Sequence, residues 1–193
     1  MPVNFRRVLQ GLMILSFSIL AACASEEVIL ESKSSGVPVR VDLTGLWNAR
    51  ADSNVARVPD TEGLQGAIVI NERMNRSRRQ RNQSGSSVQM FLEFGGSLKL
   101  IQTNYSLFIS YDRSIVEEYT FGENRVVSIG PIEARRVSGW QGDKFVVETL
   151  DDSGTILFEA WYLASDGATL VRDIRIAKGD TETYRYKQFF DLQ

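Results

Sequence analysis

Apolar and polar positions alternate over short segments through most of the chain. From Ser97 onward, runs rich in β-branched and aromatic residues are separated by turn residues at about 8 to 12 positions. The pattern predicts strands at 97–103, 105–111, 114–121, 125–129, 132–140, 143–150, 155–164, 168–177 and 181–190. Segments with helical periodicity are nearly absent. We therefore predict an all-β fold, an antiparallel up-and-down meander that forms a barrel or a strongly curved sheet.

The turns between the last strands allow their side chains to be sorted into two faces. A two-residue turn at 141–142 sets Arg136 opposite Val147, and a four-residue turn at 151–154 sets Glu148 opposite Leu157. Further turns are predicted at 166–167 and 179–180. One face then collects seven charged residues, Glu133, Arg135, Glu148, Glu159, Arg172, Arg185 and Lys187. The other collects Trp140, Phe145, Val147, Ile156, Phe158, Ala160, Tyr162, Val171, Tyr184, Tyr186 and Phe190, with Arg136, Asp173 and Arg175 as its only charges. This distribution predicts that the second, aromatic face points inward.

An inward face of this kind suggests a ligand site. Its three charged groups, Arg136, Asp173 and Arg175, have the chemistry to orient a carboxylate or phosphate among apolar side chains. The alternative is a buried ion pair between Asp173 and one arginine, with the aromatic residues as ordinary core. The candidate ligand-binding residues are Trp47, Arg136, Phe158, Tyr162, Asp173, Arg175 and Tyr184.

The N-terminus has the pattern of an export signal. Arg6 and Arg7 precede an apolar run of about a dozen residues, which is short of the roughly 20 that span a bilayer as a helix. The run ends at Leu20-Ala21-Ala22-Cys23, which resembles the lipobox of bacterial lipoproteins. The resemblance implies that residues 1–22 are removed and that Cys23 carries acyl chains such as palmitate. The residue after the cysteine is Ala24, whereas an Asp there retains family members in the inner membrane. The resemblance therefore implies an outer-membrane anchor facing the periplasm, or an anchor in the cell membrane if the organism has no outer membrane.

The rest of the chain then divides into a tether and one domain. Residues 23–37 are mostly polar and predict a lipidated tether, although Val28-Ile29-Leu30 can pack onto the domain. The domain, 38–193, opens with Asp42-Leu43-Thr44-Gly45-Leu46-Trp47, and its Gly-X-Trp resembles the first strand of lipocalin-like barrels. The segments 140–148 and 162–171 look like hairpins of small exported bacterial proteins of this kind. The lipocalin comparison implies a small apolar or amphipathic ligand and a late arginine stacked on Trp47, for which Arg185 is the candidate by chain order.

Composition excludes several classes of function. The chain has no histidine and one cysteine, Cys23, so Ser-His-Asp or Cys-His catalysis, most zinc sites and a disulfide framework are excluded. Loss of Arg6 and Arg7 with the signal moves the net charge from -2 to -4, which argues against a nucleic-acid partner. We therefore predict a protein that is not an enzyme, with no cofactor and no metal.

An arginine-rich segment offers a different hypothesis. Residues 73–87 predict an exposed loop whose first part contains five arginines, Arg73, Arg76, Arg78, Arg79 and Arg81. Guanidinium groups suit carboxylates and phosphates, so this arginine tract is a candidate contact for anionic lipid headgroups, peptidoglycan or an acidic partner. The simpler interpretation is a solvated loop. The sequence thus leaves open a ligand-binding barrel and an interaction module.

Overall fold

A computed structural model describes residues 28–51 and 86–193 and shows a single antiparallel sheet. Its ten strands are β1 (Gly45–Ala49), β2 (Ser97–Gln102), β3 (Ser106–Tyr111), β4 (Ile115–Thr120), β5 (Glu123–Ile129), β6 (Ile132–Gln141), β7 (Lys144–Asp151), β8 (Thr155–Leu163), β9 (Thr169–Lys178) and β10 (Thr181–Leu192). The prediction of an all-β up-and-down fold is confirmed, and β2 to β10 each start and end within two residues of the predicted segments. The signal peptide, Cys23 and the arginine tract lie outside the described residues.

The sheet curves into a nearly closed barrel. The strand order is β4-β3-β2-β1-β10-β9-β8-β7-β6-β5, so the pairing of β10 with β1 closes the meander. Strands β4 and β5 are the two edges, although they follow each other in the chain. Here the side chain of Arg125 spans the opening, with Nη2 donating to the backbone oxygen of Glu118 at 3.1 Å. In the described part of the chain, no helix has both the length and the apolar character needed to cross a membrane.

The register corrects the predicted faces of β8 and β9. Asp151 stays in β7, and only three residues connect it to Thr155, with Gly154 in the left-handed region at φ +80°. Glu148 therefore pairs with Phe158 rather than with Leu157. Because side chains alternate along a strand, this one-residue shift reverses the predicted faces of β8. It also reverses those of β9, because the predicted β8–β9 turn sets the faces of β9 from those of β8.

A second irregularity restores the predicted orientation in β10. The β9–β10 pairing shifts register between Glu182 and Tyr184, so Tyr184 pairs with Ile176. Regular pairing from the predicted turn at 179–180 would have set Tyr184 opposite Arg175. Tyr184, Tyr186 and Phe190 consequently face inward, as the sequence predicted. The prediction was wrong for Ile156, Phe158, Ala160, Tyr162, Val171, Asp173 and Arg175, which face outward, and for Glu159 and Arg172, which face inward.

Two apolar clusters lie on the inner side of the sheet. The first contains Trp47, Tyr119, Trp140, Phe145, Trp161 and Phe190 with aliphatic residues of β2 and β3. The second contains Leu157, Ile174, Ile176, Tyr184 and Tyr186, together with a 3₁₀ turn at Val88–Phe91. Val88 and Phe91 are buried by this contact, so the segment that leads into β2 covers the second cluster. Burial of such side chains is the main source of the domain's stability.

Residues 28–36 form an N-terminal strap on the outer face of β6 and β7. Leu30 packs with Val137 and Leu150, and the Lys33 ammonium lies 3.0 Å from the Glu148 carboxylate. The backbones of Ser34 and Trp140 exchange two hydrogen bonds, of 3.0 and 2.8 Å. The expected tether is therefore bound to the barrel from residue 28 onward. Of the three apolar residues expected to pack, Leu30 is buried and Ile29 is 77% exposed.

Candidate functional site

A belt of polar side chains lies between the two apolar clusters. We define this polar belt by its members, Glu117, Arg136, Thr149, Glu159, Arg172 and Gln188. All of them except Glu117 are buried, and Glu117 has a side chain that is 22% exposed. Charged groups are rarely buried unless they are paired, so each member needs an account of its partners.

Arg172 and Glu159 form a fully buried ion pair, and each is 1% exposed. Arg172 Nε donates to Glu159 Oε2 at 2.9 Å, and its Nη1 donates to the backbone oxygen of Glu93 at 2.7 Å and to Gln188 Oε1 at 3.2 Å. The guanidinium also lies 4.5 Å from the centre of the Trp161 ring. Although burial opposes the charge, the Glu159 carboxylate raises the pKa of Arg172. Arg172 and Glu159 thus have hydrogen-bond partners within the protein, and their role is structural.

Arg136 is less completely satisfied. Its Nε donates to Thr149 Oγ1 at 3.0 Å, and its guanidinium lies 5.6 Å from the ring centres of both Phe91 and Tyr119. Nη1 is 3.9 Å from Glu117 Oε2, beyond hydrogen-bond distance. Nη2 is buried and has no hydrogen-bond partner in the described part of the protein. The guanidinium therefore keeps a free donor inside the barrel.

Glu117 sits on the inner side of edge strand β4, opposite Ile109 of β3. Tyr119, two residues along the same face, donates its hydroxyl to Glu117 Oε2. Burial raises the pKa of Glu117 to about 7, against the opposing effect of Arg136. The carboxyl therefore changes charge near neutral pH, beside a guanidinium that it only partly neutralises.

Other buried donors point in the same direction. The Tyr111 hydroxyl and the Trp161 Nε1 are buried on the inner side and have no hydrogen-bond partner among the described residues. Burial also raises the pKa of Tyr111, which keeps its hydroxyl neutral and able to donate. Buried polar atoms are normally paired, so unpartnered donors indicate a place for water or for a ligand that accepts hydrogen bonds.

The seven predicted ligand-binding residues lie on two different faces of the sheet, three on the inner face and four on the outer face. Trp47, Arg136 and Tyr184 face inward, and burial raises the pKa of Tyr184 to about 12. Trp47 is occupied, since its Nε1 donates to the backbone oxygen of Leu43 at 3.1 Å. Their role in ligand binding stays a prediction.

The other four predicted residues lie on the outer face, so their assignment to the interior was wrong. Arg175 stacks on Phe158 at 3.9 Å, Lys144 lies 4.5 Å from the Tyr162 ring centre, and Lys187 lies 3.8 Å from Asp173. The cause is the register shift at Asp151. The buried ion pair expected for Asp173 is formed instead by Arg172 and Glu159, two residues that sequence reasoning placed outside.

The stacking of Arg185 on Trp47 that the lipocalin comparison implies is absent, and Arg185 lies on the outer face, as strand alternation predicted. Arg185 is exposed and donates to both carboxylate oxygens of Glu182, at 2.8 and 2.7 Å. Arg172 stacks on a tryptophan instead, with its guanidinium over Trp161. Glu117 was missed because strand alternation places Glu117 and Glu118 on opposite faces of one strand, and the sequence does not show which of the two faces inward.

Asp151 fastens the 3₁₀ turn to the barrel. Its Oδ2 accepts hydrogen bonds from Ser86 Oγ at 3.0 Å and from the backbone N–H of Ser87 at 2.8 Å, while Oδ1 accepts from Ser153 and Thr155. Although burial opposes ionisation, these hydrogen bonds lower the pKa of Asp151 to about 2. The described residues contain no group of His, Cys, Asp and Glu side chains arranged to hold a metal ion.

Comparison with known proteins gives similarity of shape alone. No protein-family model matches the chain, and no curated protein matches it in sequence. Similar solved structures include lipid binding protein 8 of Caenorhabditis elegans, at 8% identity over 80% of this chain and 99% of that one, with a TM-score of 0.47. A secretory abundant heat soluble protein of Ramazzottius varieornatus is 10% identical over 78% and 95%, with a TM-score of 0.46. Zebrafish ileal bile acid-binding protein, complexed with cholic acid, is 8% identical over 78% and 98%, with a TM-score of 0.43.

Proposed function

We propose that this protein is a lipid-anchored binding protein of the bacterial cell envelope that holds a small amphipathic anion inside its barrel. The observation that carries the proposal is the buried Arg136, whose Nη2 faces the interior without a partner in residues 28–51 and 86–193. A charge-assisted hydrogen bond from a guanidinium to a carboxylate or sulfonate is stronger than one between neutral groups. The apolar clusters on either side of the polar belt suit the hydrocarbon part of such a ligand.

The choice of an anion follows from the donors. Arg136 Nη2, the Tyr111 hydroxyl and the Trp161 Nε1 are potential donors that have no acceptor among the described residues, and a guanidinium or an indole N–H cannot accept a hydrogen bond. A cationic or purely apolar guest would leave these donors unsatisfied, at about 1–3 kcal/mol for each buried group. A guest with an anionic end and an apolar body satisfies both the belt and the clusters.

Fluorescence titration with two matched probes tests the proposal. Both carry a dansyl group on an undecyl chain, and one ends in a sulfonate while the other ends in a hydroxyl. At pH 6 we expect the sulfonate to bind at least tenfold more tightly, since hydrogen bonds to charged groups contribute about 1.5–3 kcal/mol. Arg136→Gln should remove this preference, whereas Arg185→Gln, on the exposed outer face, should keep it. Equal affinity of the two probes for the unaltered protein would contradict the proposal.

The anchor is part of the same proposal. Leu20-Ala21-Ala22-Cys23, behind Arg6, Arg7 and an apolar run, supports cleavage before Cys23 and acylation of its sulfur. Cells fed with labelled palmitate should label the unaltered protein, and Cys23→Ser should abolish the label and release the protein from outer membranes. Ala24→Asp should move the labelled protein to the inner membrane. A labelled Cys23→Ser variant would contradict the assignment.

The arginine tract supports a second candidate function. Its five arginines in nine residues have the chemistry to contact an anionic envelope component. Replacing all five by Gln should then abolish retention on peptidoglycan or anionic vesicles while leaving probe binding in the barrel unchanged. Unaltered retention would remove this candidate.

A further inference from the structure

The environment of Arg136 changes with the charge of one neighbour. Within the belt, Arg172 and Glu159 neutralise each other through direct hydrogen bonds. Arg136 and Glu117 are the second pair of opposite charges, but their nearest atoms are 3.9 Å apart and do not hydrogen bond. An anionic ligand at Arg136 Nη2 would therefore meet the Glu117 carboxylate as a competitor on the other side of the same guanidinium.

We infer that Glu117 determines the specificity of this site: an anion occupies Arg136 when Glu117 is protonated, so that each bound anion is accompanied by one proton on the Glu117 carboxyl. This inference rests on the proposed function and concerns the same site. With Glu117 protonated, the belt has one uncompensated positive charge, which one anion neutralises. With Glu117 ionised, the belt is neutral and an incoming anion adds an unpaired negative charge in a partly buried place.

The position of Glu117 allows it to exchange a proton with solvent. It lies on edge strand β4, beside the opening between β4 and β5, and its side chain is 22% exposed, whereas that of Arg136 is 6% exposed. Because its pKa is about 7, the two protonation states are both populated near neutral pH. Among the described residues, the other charged or titratable groups that face it are Tyr111, Tyr119, Glu93, Glu159 and Arg172, with Glu123 and Arg125 at the opening.

The hydrogen bonds of the surrounding groups indicate that Glu117 is the group that takes up the proton. The Glu159 carboxylate is held by Arg172 through direct hydrogen bonds, and burial keeps the Tyr111 hydroxyl neutral. Among the pairs of the belt, the contact between Arg136 and Glu117 is the one without a hydrogen bond. A proton taken up on anion binding is therefore expected at Glu117.

Titration of the two dansyl probes from pH 5.5 to 8.5 tests the inference. The sulfonate remains ionised throughout, so its own protonation does not contribute. We expect its affinity to fall about tenfold per pH unit above pH 7, because the competent fraction of the protein falls in that proportion. The hydroxyl probe should bind with constant affinity over the same range.

Glu117→Gln separates this role from a merely structural one. Glutamine resembles the protonated carboxyl in shape and hydrogen bonding, so the variant should bind the sulfonate at pH 8.5 as tightly as the unaltered protein does at pH 5.5. Tyr119→Phe is a second variant, which removes the hydroxyl that donates to the Glu117 carboxylate. It should shift the midpoint of the dependence of sulfonate affinity on pH while keeping its slope.

The outcomes distinguish the inference from the proposed function. If the unaltered protein prefers the sulfonate but with affinity that is constant from pH 5.5 to 8.5, the inference is wrong and the proposed function stands. If Glu117→Gln retains the pH dependence of the unaltered protein, the proton is taken up elsewhere and the inference is again wrong. If neither probe binds at any pH, the proposed function itself fails.

Discussion

Arg172 on β9 and Glu159 on β8 form an ion pair diagonally across two adjacent strands, in the middle of the barrel. Arg172 pairs in register with Trp161, and Glu159 pairs with Ile174, which brings the two charges together on the inner face. Removing one member of a buried ion pair leaves an uncompensated charge, whereas removing both can be nearly neutral. The effect of each charge on the stability of the fold therefore depends on the presence of the other charge.

We predict that Arg172→Met or Glu159→Leu alone lowers the free energy of unfolding by about 3–5 kcal/mol. The double variant should recover most of this loss, because neither charge remains. Urea denaturation of the three variants measures the effect. A double variant whose loss equals the sum of the single losses would show that the charges do not act as a pair.

Gly139 controls the attachment of the N-terminal strap. A Cβ at this position would lie 2.5 Å from the backbone oxygen of Ser34 and 2.8 Å from the backbone nitrogen of Gly122, at a φ of +154°. We predict that Gly139→Ala separates the strap from β6 and lowers stability by about 1–3 kcal/mol. Amide hydrogen exchange checks this, since the amides of Ser34 and Trp140 should lose their protection.

A second glycine serves as the control for that prediction. Gly142 also has a positive φ, +59°, but a Cβ there meets no atom within 4 Å. Gly142→Ala should cost about 1–2 kcal/mol through backbone strain and leave the Ser34 amide protected. Equally fast hydrogen exchange at the Ser34 amide in both variants would show that the short distance between residue 139 and the strap is not the cause.

Glu117 should make stability decrease as the pH rises. Its pKa is about 7 in the folded protein, against the ordinary value of 4.5. Between these two values the folded state retains a proton that the unfolded state releases. The contribution of Glu117 to the free energy of unfolding is therefore full below pH 4.5 and is lost as the pH rises through about 7. The loss amounts to about 3 kcal/mol. Urea denaturation at a series of pH values should show this slope in the unaltered protein, and Glu117→Gln should flatten it; an unchanged slope would contradict the prediction.

Asp151 should have the opposite effect at acid pH. Its pKa is lowered from 3.8 to about 2, so its contribution is present above pH 3.8 and is lost as the pH falls through 2. Asp151→Asn should lower stability by about 2 kcal/mol at pH 7 and by much less at pH 2. The exposed neighbour provides a control, as Asp152→Asn should leave stability within about 0.5 kcal/mol at both pH values. Equal destabilisation at pH 7 and pH 2 would contradict the prediction.

The strands were predictable because alternation and turn residues are local signals. Gly142, Gly154, Gly167 and Gly179 each have a positive φ at a turn between predicted strands, and this conformation is one that glycine adopts readily. The orientation of side chains depends instead on register, which one residue reverses. Whether Asp151 ends β7 or starts the turn, and whether β10 bulges before Tyr184, depends on contacts with other strands.

The candidate site was predicted in part for the same reason. Arg136 was placed correctly because the β6–β7 turn keeps its parity even though the true register differs by two residues. Arg172 and Glu159 were placed outside because the predicted four-residue turn at 151–154 reverses the faces of β8 and β9, and their mutual compensation is visible only once both strands are in register. Glu117 became a candidate only when the curvature of the sheet brought β4 opposite β6.

A crystal structure of the protein with a long-chain alkyl sulfonate that carries bromine at its far end tests directly whether an anion binds at Arg136. We predict a sulfonate oxygen about 3 Å from Arg136 Nη2, with anomalous bromine density among the apolar side chains inside the barrel. Bromine density confined to the outer face, or an interior without ligand density at saturating concentration, would contradict binding of an amphipathic anion inside the barrel.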